Sequence, residues 1–213
     1  MPMQQAMSYL TGLAGLAAFW LILLIATRKH PWALVIGEDG RPSTSKFQML
    51  AWTAAVVFAF LAIFQIRFSS GYHDGLPGIP ANLLIAMGMS VVTAVSAKSI
   101  AVGSQADDDA AAAGAAAAGA PVAPPTPSKS GIFSDDTGTP DLGKVQLVLW
   151  TVIAIGVFLS QVFATIHCPH CPPFDPQAGN TACNLGLPDI GTTLMILMGL
   201  GHGAYLGKKI AES

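Results

Sequence analysis

The sequence predicts an all-α membrane protein with five transmembrane helices, arranged as a leading helix followed by two helical hairpins that repeat in parallel. Two observations predict this architecture. Of the 213 residues, 52% are hydrophobic and 10% are charged, whereas a soluble domain carries about 25% charged residues. The frame K-x-Q-x-x-x-W-T also occurs twice, at residues 46–53 and 144–151, and each copy leads into a long uncharged apolar run. We therefore expect the lipid bilayer to surround most of the chain.

The first predicted span, residues 9–27, lies within a leading segment of residues 1–29. Its uncharged run is long enough to cross a hydrocarbon core of about 30 Å as a helix. The nearest positive charges, Arg28 and Lys29, follow the run and do not precede it. That order is typical of an uncleaved first helix with its N-terminus outside.

Each of the two hairpin repeats contains two predicted helices. In the first repeat (residues 30–103) we expect them at about residues 47–66 and 79–102. In the second repeat (residues 132–213) we expect them at about residues 144–166 and 187–207. Pro42 and Pro140 precede the repeated frames, as expected near the first turn of a helix. A Leu-Pro-x-Ile element recurs at residues 76–79 and 187–190, ahead of the second helix of each hairpin.

Residues 104–131 differ in composition from the rest of the chain. They contain three consecutive aspartates at 107–109, an Ala/Gly tract, and a proline-rich stretch from Pro121 to Pro127. This composition predicts a flexible cytoplasmic linker between the hairpins. An ordered docking element is the alternative.

Positive charges set the predicted orientation. All but one of the Lys and Arg residues fall before helix two, between helices three and four, or after helix five: Arg28, Lys29, Arg41, Lys46, Lys98, Lys129, Lys144, Lys208 and Lys209. Arg67 falls on the opposite side. Because cytoplasmic loops carry the excess of positive charge, we expect the N-terminus outside, the C-terminus in the cytoplasm, and both hairpins facing the same way.

Two polar–aromatic pairs stand at the starts of the repeated helices: Gln48 with Trp52, and Gln146 with Trp150. At a spacing of i and i+4, each pair shares one helix face, near the cytoplasmic boundary. We expect the tryptophans to belong to the interfacial aromatic belt and the glutamines to hydrogen-bond across a helix interface. The alternative is a lining for a small pore or a lipid-headgroup site.

Helix five combines small residues with one ionisable side chain. Gly199, Gly203 and Gly207 form a stripe that lets another helix approach closely, either from the same chain or from a second subunit. His202 lies in the same apolar run, and an intramembrane ionisable group indicates function by default. Because every carboxylate lies in a loop or at a predicted helix end, we expect a neutral imidazole bonded across an interface and not a proton or sodium relay.

The cysteines, Cys168, Cys171 and Cys183, all fall in the predicted outside loop between helices four and five. An outside location favours a structural disulfide between two of them. The CxxC spacing, with His167 beside it, also suits a zinc site or a redox pair. No βαβ pattern surrounds it, which argues against a thioredoxin-type site. We predict a disulfide, and no metal or cofactor.

Residues 42–52 have the pattern of a helix start, and residues 83–90 form a later Leu-Leu-x-x-x-Gly-x-Ser element. Together they resemble an uncharacterised family of bacterial integral membrane proteins with a P-x-S-x-[SG]-[KR]-x-Q-x-x-x-W motif at a helix start. The resemblance covers residues 36–102, and the second half is a looser copy in which Leu142 and Gly143 stand where serines are expected. It implies a multi-pass protein of the bacterial inner (plasma) membrane and brings no established activity.

The sequence favours a non-enzymatic function. No nucleophile–base pair, carboxylate pair or phosphate loop can be placed on one surface. The net charge of −2 and the absence of a basic cluster indicate no nucleic-acid partner. We predict a membrane scaffold or anchor that forms a homo-oligomer through its glycine-rich helices and binds a cytoplasmic protein partner. The alternative is an oligomeric ion channel or pore lined by uncharged polar residues.

Overall fold

The computed structural model describes residues 2–28, 31–36, 42–73, 76–117, 132–134, 139–167 and 185–211. The α-helices in these ranges are Pro2–Thr27 (α1), Thr44–Ser69 (α2), Ala81–Ala117 (α3), Leu142–His167 (α4) and Thr192–Ala211 (α5). A short 3₁₀ helix, Pro31–Leu34, follows α1. No strand occurs in the described ranges, so the predicted all-α class is confirmed for them.

The long helices have the length and composition of membrane spans. Within the described residues, four stretches qualify: Met3–Thr27, Thr44–Ser69, Ala81–Ile100 and Leu142–His167. They indicate a multi-pass membrane protein. Helix α5 is not among the four. It has 20 residues, and its glycines, His202 and paired lysines at 208–209 lower its apolar character.

Helix α3 continues far beyond the expected end at residue 102. It runs to Ala117, so the prediction of a flexible linker is wrong for residues 104–117. The physical reason is the alanine tract: alanine has the highest helix propensity, and the single Gly114 inside it costs only about 1 kcal/mol. The rest of the predicted linker, residues 118–131, lies outside the described residues.

Helices α2 to α5 form a bundle in which each packs against two others. Helix α2 contacts α3 and α4, and α5 contacts the same two helices, so α2 and α5 face each other across the bundle. The core consists of buried side chains that include Trp52, Ile63, Leu83, Phe158 and Met198. The Trp52 and Phe158 rings lie with their centroids 6.0 Å apart, which joins α2 to α4.

Helix α1 lies outside this bundle and packs mainly on α2. Two glycines make the close contact: a Cβ at Gly12 would lie 3.1 Å from the Phe58 carbonyl oxygen, and a Cβ at Gly15 would overlap the Leu61 side chain. Larger residues at these positions would push the two helices apart. The side of α1 that carries Gly12 and Gly15 therefore determines where α1 packs on α2.

The repeated Leu-Pro-x-Ile elements are non-helical and do not form the first turns of helices. Residues 76–80 and 185–191 precede α3 and α5, so α5 begins at Thr192 and not at about residue 187. The backbone N–H of Leu187 donates to the Gly78 carbonyl over 2.9 Å. Leu187 and Ile190 are buried in the core. The burial of these side chains in a non-helical segment outweighs the local signal of a proline for a helix start.

Similar loops precede α2 and α4. A single antiparallel bridge joins Ile36 to Pro42, and an equivalent bridge joins Ser134 to Pro140. In each loop a backbone N–H at the helix cap donates over 2.7 Å: Ser43 to the Val35 carbonyl, and Asp141 to the Phe133 carbonyl. The segment ahead of Ile36, residues 31–34, forms the 3₁₀ helix.

Candidate functional site

The candidate site begins with a row of polar side chains along one face of α2. Ser43 caps the helix by accepting from the Lys46 backbone N–H at 3.5 Å, which fixes where α2 starts. Thr44, Gln48 and Trp52 then follow at intervals of four residues and share a face. All three are buried, with exposed fractions of 1%, 0% and 1%. Gln48 and Trp52 therefore lie on one buried face of α2. The expectation that Trp52 belongs to an interfacial aromatic belt is wrong, because Trp52 packs in the core of the bundle.

Gln48 reaches across the bundle to His202 on α5. The Nε2 atoms of the two side chains are 2.9 Å apart, and His202 Nδ1 lies 2.7 Å from the Met198 carbonyl oxygen. Because a carbonyl can only accept, Nδ1 must carry the imidazole proton. The neutral ring then accepts at Nε2 from the Gln48 amide. This geometry agrees with the expectation of a neutral imidazole bonded across a helix interface.

Three polar atoms of this row have no protein hydrogen-bond partner: Thr44 Oγ1, Gln48 Oε1 and Trp52 Nε1. A buried polar atom left unpaired costs about 1–3 kcal/mol. The three atoms offer an acceptor, a donor and a hydroxyl that can do either. Their chemistry suits a small neutral molecule that both donates and accepts, such as water, and not an ion.

The second copy of the repeat does not reproduce this site. Gln146 and Trp150 are only half-buried, and the Gln146 side chain makes no hydrogen bond within the described ranges. Trp150 instead lies against α5, where its Cδ1 would be 3.8 Å from a Cβ at Gly201. Since His202 has no counterpart in the first hairpin, the two glutamines occupy different environments despite their shared frame.

The glycines of α5 fall on two faces. A Cβ at Gly201 would lie 3.7 Å from the Leu147 Cα, so this buried glycine is the close contact with α4. A Cβ at Gly199 would approach Met89 on α3 at 3.9 Å, whereas Gly203 and Gly207 are exposed and have open space beside them. No described helix of the same chain covers that part of the predicted stripe. The four-residue spacing of the predicted stripe leaves out Gly201, so it did not predict the contact of Gly201 with α4.

Two lysines emerge as structural residues that the sequence analysis used only for orientation. Lys46 Nζ donates to the Ile36 carbonyl over 2.9 Å, and Lys144 Nζ donates to the Ser134 carbonyl over 2.6 Å. Each lysine is the first residue of its repeated frame and closes the loop ahead of its own helix. The recurrence of lysine at this position was the signal that could have revealed this role.

An ion pair joins the same end of the second repeat to the end of α5. Asp141 accepts from the Gly143 and Lys144 backbone N–H groups, at 2.8 and 3.3 Å, and so caps α4. Its other oxygen lies 3.1 Å from Lys208 Nζ. The start of α4 and the end of α5 are therefore at one end of the bundle.

The predicted disulfide residues Cys168, Cys171 and Cys183 lie outside the described residues. His167 ends α4, where its Nδ1 lies 2.8 Å from the Phe163 carbonyl oxygen and 3.2 Å from the Tyr9 hydroxyl. In the part of the chain that the structure describes, no three His, Cys, Asp or Glu side chains are grouped as metal ligands. No protein-family model, curated protein or solved structure matches the chain.

Proposed function

We propose that the chain is a non-enzymatic membrane scaffold or anchor that self-associates through α5 and binds a protein partner at its cytoplasmic face. The observation that carries this proposal is the open space beside Gly203 and Gly207, on the exposed side of α5. In lipid, helices associate through close packing at small residues. A second copy of the same helix is the natural occupant, because a two-fold interface pairs one patch with itself.

The residues around these glycines support the same interface. Ile196, Leu200 and Ile210 are more than half exposed, at 58%, 61% and 62%. Their spacing from Gly203 and Gly207 puts them on the same stripe. Two such stripes in contact would combine a close backbone approach with flanking aliphatic side chains. This arrangement provides the van der Waals contact that stabilises helix pairs in a bilayer.

The proposal includes five crossings, with the N-terminus outside and the C-terminus in the cytoplasm of a bacterial inner membrane. Helix α5 alone has 20 residues, or about 30 Å at 1.5 Å per residue. The non-helical segment 185–191 lengthens its path, since Arg67 Nη1 at the far end of α2 donates to the Leu185 carbonyl over 3.3 Å. The positions of Lys46, Lys144 and Lys208 at one end of the bundle support the orientation.

The long helix α3 supports a cytoplasmic partner. Residues 101–117 continue α3 beyond the candidate span that ends at Ile100, which adds about 25 Å at 1.5 Å per residue. This extension holds the aspartates 107–109 and lies beyond the candidate span of α3. Deleting residues 103–117 should release a copurifying cytoplasmic protein. The number of chains in each oligomer should not change.

Self-association is tested with Gly203→Leu and Gly207→Leu. We expect the mass in detergent micelles to fall from that of an oligomer to that of a monomer. Gly156→Leu on α4 is the matched control, because Gly156 is also exposed and has open space beside it. The proposal fails if the wild-type chain is a monomer, or if the control dissociates the oligomer as well as the α5 variants do.

An oligomeric pore is the second candidate. It would be lined by uncharged polar residues shared between subunits, but Gln48, Ser90, Thr93 and His202 are buried within a single chain. Side chains that face the interior of one bundle are poorly placed to line a pore between bundles, which favours the scaffold. Ion flux through liposomes that contain the purified protein would instead favour the pore, provided that Gln48→Leu or Thr93→Val reduces it.

A further inference from the structure

A groove with a volume of 610 Å³ lies between α1, α2 and α4. Apolar side chains line it almost completely, and the hydroxyl of Tyr9 is the polar group among the lining side chains. Ala51, Ala54 and Ala55 of α2 are part of its floor. The small size of these alanines hollows the surface of α2 between its two neighbours. All three helices contain candidate spans, so the groove lies at membrane depth.

The groove is closed at one end by contacts between α1 and α4. The Tyr9 hydroxyl lies 3.2 Å from His167 Nδ1, and Gln5 Nε2 donates to the His167 carbonyl over 3.0 Å. The Tyr9 ring also packs against Phe163, with centroids 6.0 Å apart. From this end the groove runs inward between Leu16 on α1 and Ile155 on α4. One end is thus polar and the remainder is apolar.

We propose that this groove binds one acyl chain of a membrane phospholipid. Its length fits: from Tyr9 to Leu16, and from Ile155 to Phe163, it extends about 10–12 Å at 1.5 Å per residue. One leaflet contributes about 15 Å of a 30 Å hydrocarbon core. The volume also falls in the usual range for small-molecule sites, about 300–1,000 Å³. A single hydrocarbon chain can follow such a slot along most of a leaflet.

The polar end supports a lipid with its headgroup beside α1. There Gln4 Nε2 donates to the hydroxyls of Ser69 and Ser70, at 2.9 and 3.0 Å. With Tyr9 and His167, these groups form a hydrogen-bonding surface next to the closed end of the groove. A molecule with a polar head and one long tail matches this surface better than a wholly apolar one. Such amphipathic molecules are the bulk component of a bilayer.

A helix of another copy fits the groove less well than an acyl chain. An α-helix is about 10–12 Å across with its side chains, whereas the contacts of Tyr9 and Gln5 with His167 draw α1 and α4 together at one end of the groove. Its closed end would also stop a helix that crosses the membrane. The groove is therefore distinct from the proposed α5 interface.

The binding test uses protein reconstituted in palmitoyl-oleoyl phosphatidylcholine and returned to detergent, with retained lipid counted by native mass spectrometry. We expect one phospholipid per chain to survive detergent exchange. Ala54→Phe, which fills the floor, should lower retention at least fivefold. Val92→Phe is the control, because Val92 is 61% exposed on α3, away from the groove. Equal loss in both variants, or no loss in Ala54→Phe, would overturn the proposal.

A second measurement needs no variant and covers the case in which Ala54→Phe does not fold. A phosphatidylcholine with a diazirine at mid-chain is photolysed in vesicles, and the adducts are mapped by peptide mass spectrometry. We expect adducts at Leu16 and Ile155 to exceed those at Val92 at least threefold. Labelling that is equal at these positions means ordinary boundary lipid, and chain-to-chain adducts in the groove mean a protein occupant. Either result contradicts the proposal. Dissociating the α5 oligomer should not alter the labelling.

Discussion

Gln48 and His202 are 154 residues apart in the sequence, yet their Nε2 atoms lie 2.9 Å apart in the centre of the bundle. The contact links the first hairpin to the last helix across the bundle diagonal. It is also the only described hydrogen bond of the Gln48 side chain, whose Oε1 atom has no protein partner. The pair is therefore a direct probe of how α2 and α5 are held together.

A double-mutant cycle should show coupling between these two residues. Gln48→Leu and His202→Leu each remove the hydrogen bond, and the double variant should be less destabilised than the sum of the two. Hydrogen bonds between membrane helices contribute about 0.6 kcal/mol on average and up to about 1.7 kcal/mol in such cycles. We expect a coupling in that range from unfolding in mixed micelles. Gln146→Leu with His202→Leu is the control pair and should be additive.

The docking of α1 should depend on its glycines. Gly12→Leu would place a side chain against the Phe58 carbonyl, which cannot move without shifting the backbone of α2. Overpacking of this kind costs about 1–3 kcal/mol. We expect the midpoint of thermal unfolding in detergent to fall by about 2–4 °C for each kcal/mol. Gly156→Leu, in open space on α4, should change the midpoint little, and an equal fall in both variants would contradict the assignment.

The repeated lysines should stabilise their loops by similar amounts. Lys46→Met and Lys144→Met each remove a hydrogen bond from a charged donor to a backbone carbonyl. Such bonds contribute about 1.5–3 kcal/mol. Lys46→Arg and Lys144→Arg keep the positive charge that orients the chain but replace the compact ammonium group with a larger, planar guanidinium. We therefore expect them to insert normally and to be less stable than wild type in a denaturant titration. Full stability of both methionine variants would show that the contacts contribute nothing.

The sequence was most informative where a local pattern decides the structure. The repeated frame predicted two equivalent helix starts, and the structure begins α2 at Thr44 and α4 at Leu142, within three residues of the expectation. Four apolar runs likewise corresponded to four candidate spans. Capping side chains and apolar length act within a few residues, so a single sequence records them.

The sequence was least informative where distant segments compete with local preference. Gln48 and His202 are so far apart in the sequence that no residue spacing predicts their contact. The non-helical segment 185–191 follows from burial of Leu187 and Ile190 and from a backbone bond to Gly78, all of which depend on the folded bundle. The groove depends on the angle between α1 and α4, which no motif encodes.

Asp141 should stabilise the chain in two separable ways, as the cap of α4 and as the ion-pair partner of Lys208. Asp141→Asn keeps an oxygen for the Gly143 and Lys144 N–H groups, whereas Asp141→Ala removes it, and loss of a cap costs about 1 kcal/mol. The ion pair contributes less, at most about 1 kcal/mol, because the Lys208 side chain is 36% exposed. We expect Asp141→Ala to be clearly less stable than Asp141→Asn in denaturant titrations, with Asp141→Asn close to Lys208→Met. Salt at 1 M shortens the screening length to about 3 Å. It should therefore reduce the effect of Lys208→Met on stability and leave the difference in stability between Asp141→Ala and Asp141→Asn unchanged. If that difference disappears in salt, charge and not the cap is the main contribution of Asp141.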